Sequence, residues 1–140
     1  MLSDSVPKSL RGQCLCGAVC FEVEDAFAYA CYCHCTRCRR RTGSAFTAFG
    51  GIERDKLRIS SGADDLLKLG PNDEAYNAFC RKCLSPLFAA IPGTTRMHVQ
   101  LGALTDAPSR HPDHHIMVAF KAPWYQITDA LPQWAEFPTG

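Results

Sequence analysis

The sequence predicts an all-β fold, on three observations. Apolar residues alternate with polar ones in short runs, helical periodicity is weak almost everywhere, and glycine and proline interrupt the runs at close intervals. Ten glycines and nine prolines in 140 residues leave room for short strands and for at most one or two short helical turns. In GAVCFEVE, Val19, Phe21 and Val23 alternate with Cys20, Glu22 and Glu24, as in a strand with one buried face. AFAYACYC and SAFTAFGG are the next two candidates. LRIS and DLLKLG follow, separated by SGAD, which has the composition of a turn. AYNAFC and PLFAAI flank RKCLS and suit a hairpin. In RMHVQLG, Met97, Val99 and Leu101 alternate with His98 and Gln100, which puts His98 on the exposed side. HIMVAF is predicted as a last buried strand before a proline-rich tail.

No linker, repeat or low-complexity segment divides the chain. Residues 1–11 are expected to be a disordered or extended lead-in, and residues 12–140 a single domain. MLSDSVPKSLRG lacks an apolar core and a small-residue cleavage site, so it does not resemble a signal peptide. No apolar run approaches the roughly 18 residues of a spanning helix. A formal net charge of +1 points to neither nucleic acid nor an anionic membrane surface as a partner. The expected location is cytoplasmic.

Nine cysteines are many for this length, and the count is odd. Without an export signal, such clusters are metal ligands or redox groups more often than disulfides. They fall into three groups: Cys14 and Cys16; Cys33, Cys35 and Cys38; Cys80 and Cys83. Tetrahedral zinc holds sulfurs at about 2.3 Å, so its ligands converge to within roughly 4 Å of each other. A CxxC knuckle achieves this by a sharp backbone turn. A CxC pair starts on one face of a strand, and Gly12 and Gly17 make a closing bend easier. Two plus two thiols complete a four-cysteine site, and the remaining three leave a fourth position open, as catalytic zinc sites do. Ligand counting therefore favours one structural and one reactive zinc, although spacing alone lets the middle group join either outer one. Cys20 falls on the polar parity of its strand and is expected to bind nothing. Cys31 shares the parity of Cys33 and Cys35, as a small buried hydrophobe or as a fourth ligand.

GQCLCGAVCFEV, CYCHCTRCRRRTGSAF, FCRKCLSPL and HHIMVAFKAPWYQITDALPQW, in that order, resemble the glutathione-dependent formaldehyde-activating enzyme family, whose domain also occurs in centromere protein V. The likeness runs from about Gly12 to Trp134. It implies an Mss4-like β-tent, small sheets clamped by zinc, and two zinc ions per chain. It also implies that Cys14, Cys16, Cys80 and Cys83 bind a structural zinc, and Cys33, Cys35 and Cys38 a catalytic one at which glutathione acts. Cys31 lies outside the family's CHCxxC motif. Leu84 stands where the family commonly has glycine, so the turn after the second knuckle is made without glycine's freedom at positive φ.

The implied activity is that of a carbon–sulfur lyase resembling S-hydroxymethylglutathione synthase, joining a small-molecule thiol such as glutathione to a small aldehyde such as formaldehyde. A thiol entering the open coordination position would lose its proton to become the nucleophile. Arg39 and Arg40, within the run Arg37, Arg39, Arg40 and Arg41, are candidates for binding glutathione carboxylates; the plainer reading is a solvated basic turn. His34, between two ligands, is expected to point away from the metal. His115 is the candidate protein group near the catalytic zinc, and Trp124 a wall of the substrate cleft or a packing residue. Asp129 suits a turn cap, with no chemistry. The rival to an enzyme is a non-catalytic, zinc-stabilised binding module; further alternatives are a redox couple of Cys35 and Cys38 and a nucleic-acid module.

Overall fold

The computed structural model describes residues 8–138. Its strands are β1 (Ser9–Gln13), β2 (Cys20–Glu24), β3 (Tyr29–Cys33), β4 (Thr47–Glu53), β5 (Leu57–Ser61), β6 (Leu66–Asn72), β7 (Ala75–Cys80), β8 (Pro86–Ala90), β9 (Arg96–Gln100) and β10 (His115–Ile116). One α-helix, α1 (Thr36–Thr42), and short 3-10 turns join them. The strands form a three-stranded sheet, β1-β2-β5, and a seven-stranded sheet, β10-β3-β4-β9-β8-β7-β6. Every pairing is antiparallel except that of β10 with β3.

The alternating runs become strands because one parity of each buries between the sheets. Leu10, Phe21 and Val23 of the small sheet meet Ile52, Tyr76, Leu87, Phe88, Met97 and Val99 of the large one. Phe21 is fully buried, edge-on to Phe88 at 5.7 Å between ring centroids. Burying such a ring is worth about 1.5–3 kcal/mol. Gly12 pairs with Phe21, and a Cβ at Gly12 would stand 2.2 Å from the Phe21 ring. This glycine is thus a seat for an aromatic ring and not the bend expected of it; the bend comes at Gly17, with φ of 83°. A second, smaller core of Cys31, Cys33, Phe49 and Ile116 includes the partly buried Cys35, Cys38 and Trp134.

Residues 9–11 of the expected lead-in are extended, as the start of β1 paired with β2; residues 1–7, and 139–140 at the other end, lie outside the described residues. Two expectations need correction. The predicted strand HIMVAF stops after Ile116, because Met117 adopts a left-handed conformation (φ 58°) and starts a 3-10 turn over Val118–Phe120. His98 is half-buried: its ring stacks on Phe49 at 4.1 Å, and its Nε2 lies 2.7 Å from the Tyr29 hydroxyl. Its neighbours Met97 and Val99 face the core between the sheets, and His98 faces the smaller core.

Candidate metal centres

Two cysteine clusters stand out among the described residues. The sulfurs of Cys14, Cys16, Cys80 and Cys83 all lie within 4.8 Å of one another, and so do those of Cys33, Cys35 and Cys38. Of the pairings that spacing left open, the structure brings the outer groups together and leaves the middle one by itself. All nine cysteines are free thiols.

The four-cysteine cluster is built where two turns meet. Cys14 and Cys16 follow β1, in a turn held by Cys14 N–H to Val19 O (3.0 Å) and Gly17 N–H to Cys14 O (3.2 Å). Cys80 ends β7, and the knuckle after it closes with Leu84 N–H donating to Cys80 O at 2.8 Å. Leu84 takes φ of 64° there, the conformation that glycine would adopt at less cost. Backbone N–H groups aim at the sulfurs: Val19 at Cys14, and Lys82 and Cys83 at Cys80, over 3.3–3.5 Å. Ser85 ties the turns together, its hydroxyl accepting from Leu15 N–H at 3.0 Å and lying 3.1 Å from Cys83 Sγ. Those Ser85 contacts, side chain first and then backbone, pull the Cys83 thiol down to about 5.

A tetrahedral ion with bonds of about 2.3 Å needs sulfurs about 3.8 Å apart. The Cys14–Cys16 and Cys16–Cys80 sulfur pairs are both at 3.7 Å. Four soft donors at that spacing, with N–H groups already pointed at them, fit a thiophilic metal ion such as zinc.

The three-cysteine cluster is local. Cys33 ends β3, Cys35 is the N-cap of α1, and Cys38 lies in its first turn. Cys38 N–H donates to Cys35 Sγ at 3.3 Å, so the capping side chain is itself a candidate ligand. Hydrogen bonding to Cys33 draws the Cys38 thiol down to about 6 against its burial, with help from Cys35 and Thr47. The same bond and burial push the Cys33 thiol up. Three sulfurs this close cannot all ionise unaided, and a cation among them removes the conflict. Cys31 joins neither cluster; its buried thiol is pushed up to about 12, chiefly by desolvation. Cys20 is also outside both, with its sulfur 3.7 Å from Gly17 O.

The arginine run has a structural reason. Arg39, Arg40 and Arg41 occupy the last turn of α1, where cations complement the helix dipole, and Gly43 caps it in the left-handed conformation. Arg39 also donates to Phe120 O at 3.0 Å. Arg39 and Arg40, with Thr36, Gly43, Ser44 and Trp124, line a cavity of about 200 Å³ on this helix. Trp124 is 69% exposed, so it is not packed into either core.

His34 and His115 are buried side by side, 2.8 Å apart through Nε2 and Nδ1. Burial foremost, then the neighbouring His115 and Lys121, lowers His34 to about 4. Asp129 caps its turn, accepting from Leu131 N–H at 2.9 Å, and its oxygens also lie 3.0 and 3.1 Å from His115 Nε2. The sequence reading of Asp129 as a turn cap without chemistry holds for the cap and misses this second contact, whose partner lies 14 residues away. His115 is therefore engaged on both ring nitrogens and is not a member of the three-cysteine cluster.

A family model described as "Glutathione-dependent formaldehyde-activating enzyme" matches residues 9–119. A Halomonas elongata protein, which carries that same description as a provisional name, is 29% identical over 134 residues, covering 84% of this chain and 80% of that one. The crystal structure of a Rhodobacter sphaeroides protein superposes with a TM-score of 0.58 at 29% identity, over 71% of this chain and 91% of the other. No helix among the described residues is long and apolar enough to cross a membrane.

Proposed function

Because the chain belongs to the glutathione-dependent formaldehyde-activating enzyme family, we propose that it is a cytoplasmic zinc-dependent carbon–sulfur lyase that joins a small thiol, glutathione or a similar one, to a small aldehyde. Cys14, Cys16, Cys80 and Cys83 hold a structural zinc, and Cys33, Cys35 and Cys38 a catalytic one. The observation that supports this reading is a donor count: three sulfurs converge, and among the described residues no fourth His, Cys, Asp or Glu joins them, neither Cys31 nor His115 being a member of the cluster.

Zinc, when bound, supplies the charge that makes an incoming thiol a thiolate at neutral pH. The chain's own residues supply the rest. Cys33, Cys35 and Cys38 would hold the ion through three thiolates, which leaves a substrate thiol able to join them. Arg40 and the Trp124 face offer a carboxylate partner and an apolar wall in the cavity on α1, the helix that also carries Cys38, with Arg39 partly committed to Phe120 O. In the forward reaction the substrate sulfur adds to the carbonyl carbon, the carbon–oxygen π bond opens, and the thiol proton ends on oxygen, giving an S-hydroxymethyl thiol. The reverse is carbon–sulfur cleavage. The cysteines remain ligands throughout.

Native mass spectrometry on reduced protein, with and without added zinc, tests the donor count. NMR of carbon-13 formaldehyde with glutathione then tests the reaction. Two zincs, one exchangeable with glutathione, and faster appearance of the S-hydroxymethyl adduct are expected. A single zinc that cannot be supplemented would overturn the proposal and leave a zinc-stabilised binding module.

A further inference from the structure

The imidazoles of His34 and His115 take no part in the scheme above, yet they form a chain that ends on a half-exposed carboxylate. His34 and His115 are 0% and 1% exposed, whereas the Asp129 side chain is 43% exposed. The chain runs Asp129 carboxylate, His115 Nε2, His115 Nδ1, His34 Nε2. The remaining nitrogen, His34 Nδ1, is buried and has no hydrogen-bond partner among the described residues.

A carboxylate only accepts, so the proton facing it sits on His115 Nε2. His115 Nδ1 then has two options. It can accept from His34 Nε2–H, which leaves His34 Nδ1 an unprotonated ring nitrogen and both rings neutral. Or it can donate, which makes His115 a buried cation and moves the His34 proton onto Nδ1, where the N–H has no acceptor. A buried charge together with an orphaned donor is the costlier arrangement. The carboxylate therefore sets the proton position two rings away.

We propose that Asp129 and His115 are positioning residues for the three-cysteine cluster. Asp129 selects the His115 tautomer, His115 selects the tautomer and ring orientation of His34, and the held ring fixes the Cys33–His34–Cys35 backbone that aims two of the three sulfurs. That backbone is also tied directly to the His115 segment, His34 N–H donating to Ile116 O at 3.1 Å, and the segment is itself anchored by His115 N–H to Pro132 O at 2.9 Å. Phe46 packs against the His34 ring at 5.3 Å between centroids, which leaves it little room to turn. Asp129 lies beyond the residues that the family model matches. The proposal rests on reading the three-cysteine cluster as a metal site.

The test uses the full, zinc-loaded chain labelled with nitrogen-15. Long-range imidazole spectra of the wild type are expected to show protonated Nε2 and bare Nδ1 on both rings. Asp129→Ala is expected to mix the tautomers of both rings and to speed zinc release from the three-cysteine cluster to a chromogenic chelator about tenfold. Release from the four-cysteine cluster, an internal control for folding, stays unchanged, and Asp129→Glu restores both signals. A proton on His34 Nδ1 in the wild type, unchanged tautomers and release in Asp129→Ala, or equal acceleration at both clusters would each overturn the proposal. If the wild type takes up a single zinc, the enzyme reading fails and the cluster-positioning role fails with it. The tautomers, readable without the second zinc, still decide separately whether Asp129 controls the two rings.

Discussion

The four-cysteine and three-cysteine clusters use the same side chain and differ in how much chain they join. Cys14 and Cys16 lie beside the small sheet, and Cys80 and Cys83 at one end of the large one, so a metal there ties together segments distant in sequence. Cys33, Cys35 and Cys38 come from a single strand-to-helix turn. Closing a long loop removes more freedom from the unfolded chain than closing a short one. The first cluster therefore belongs to the fold. The second could gain or lose an ion with the fold intact, as the proposed catalytic site requires.

The sharpest way to break this comparison is Cys80→Ser. Structural zinc contributes about 10–16 kcal/mol in small metal-dependent domains, as much as a whole domain's net stability. Cys80→Ser is expected to abolish cooperative unfolding, followed by circular dichroism alongside zinc content. Cys38→Ser should do the opposite: about one zinc lost and adduct formation reduced to background, with Tm within about 4 °C of wild type. Equal loss of structure in the two variants would sink the distinction.

Acid provides a smaller effect, at His98, a residue of neither cluster. His98 is lowered to about 4, first by burial and then by Arg96. A histidine depressed on folding leaves the unfolded chain binding more protons between its two pKa values. Its contribution is therefore complete above about 6.5 and is lost as pH falls toward about 4. Thermal melts of zinc-saturated protein should show His98→Gln losing less Tm over that window than wild type. Parallel melting curves would overturn this assignment. The smallest effect sharpens the comparison at the knuckle itself. Leu84→Gly relieves the left-handed residue beside the four-cysteine cluster, at some cost in unfolded-state entropy. A net gain of about 0.5 kcal/mol in denaturant unfolding is expected, with zinc release from the other cluster unchanged.

Where burial follows strand parity, the sequence was easily legible. Val19, Phe21, Val23, Met97 and Val99 all pack where alternation put them. The cysteine groups were legible too, because sulfur donors at knuckle spacing have few other uses. The gaps are places where partners come from far along the chain. His98 looked exposed because parity says which face a side chain takes and not what covers that face; Phe49 of another strand does. TRCRRRT carries no apolar stripe and buries no residue, so nothing in it announced a helix. Its N-cap, Cys35, carried the signal of a ligand and not of a cap. Met117 ended a strand whose hydrophobic run continues, a backbone choice that composition does not report. His34 and His115 are 81 residues apart and Asp129 a further 14, a separation across which no local signal runs.

That separation bears on the order in which the protein is assembled. A chain emerges from the ribosome N-terminus first, at about 5–20 residues per second. Cys83, the last ligand of the four-cysteine cluster, is synthesised before His115 and Asp129, which brace the other cluster. For some seconds the nascent protein offers a complete clamp and an unbraced CHC loop. On the proposed reading, a scarce metal ion arriving in that interval would find the architectural berth finished first, and the working site would be filled last.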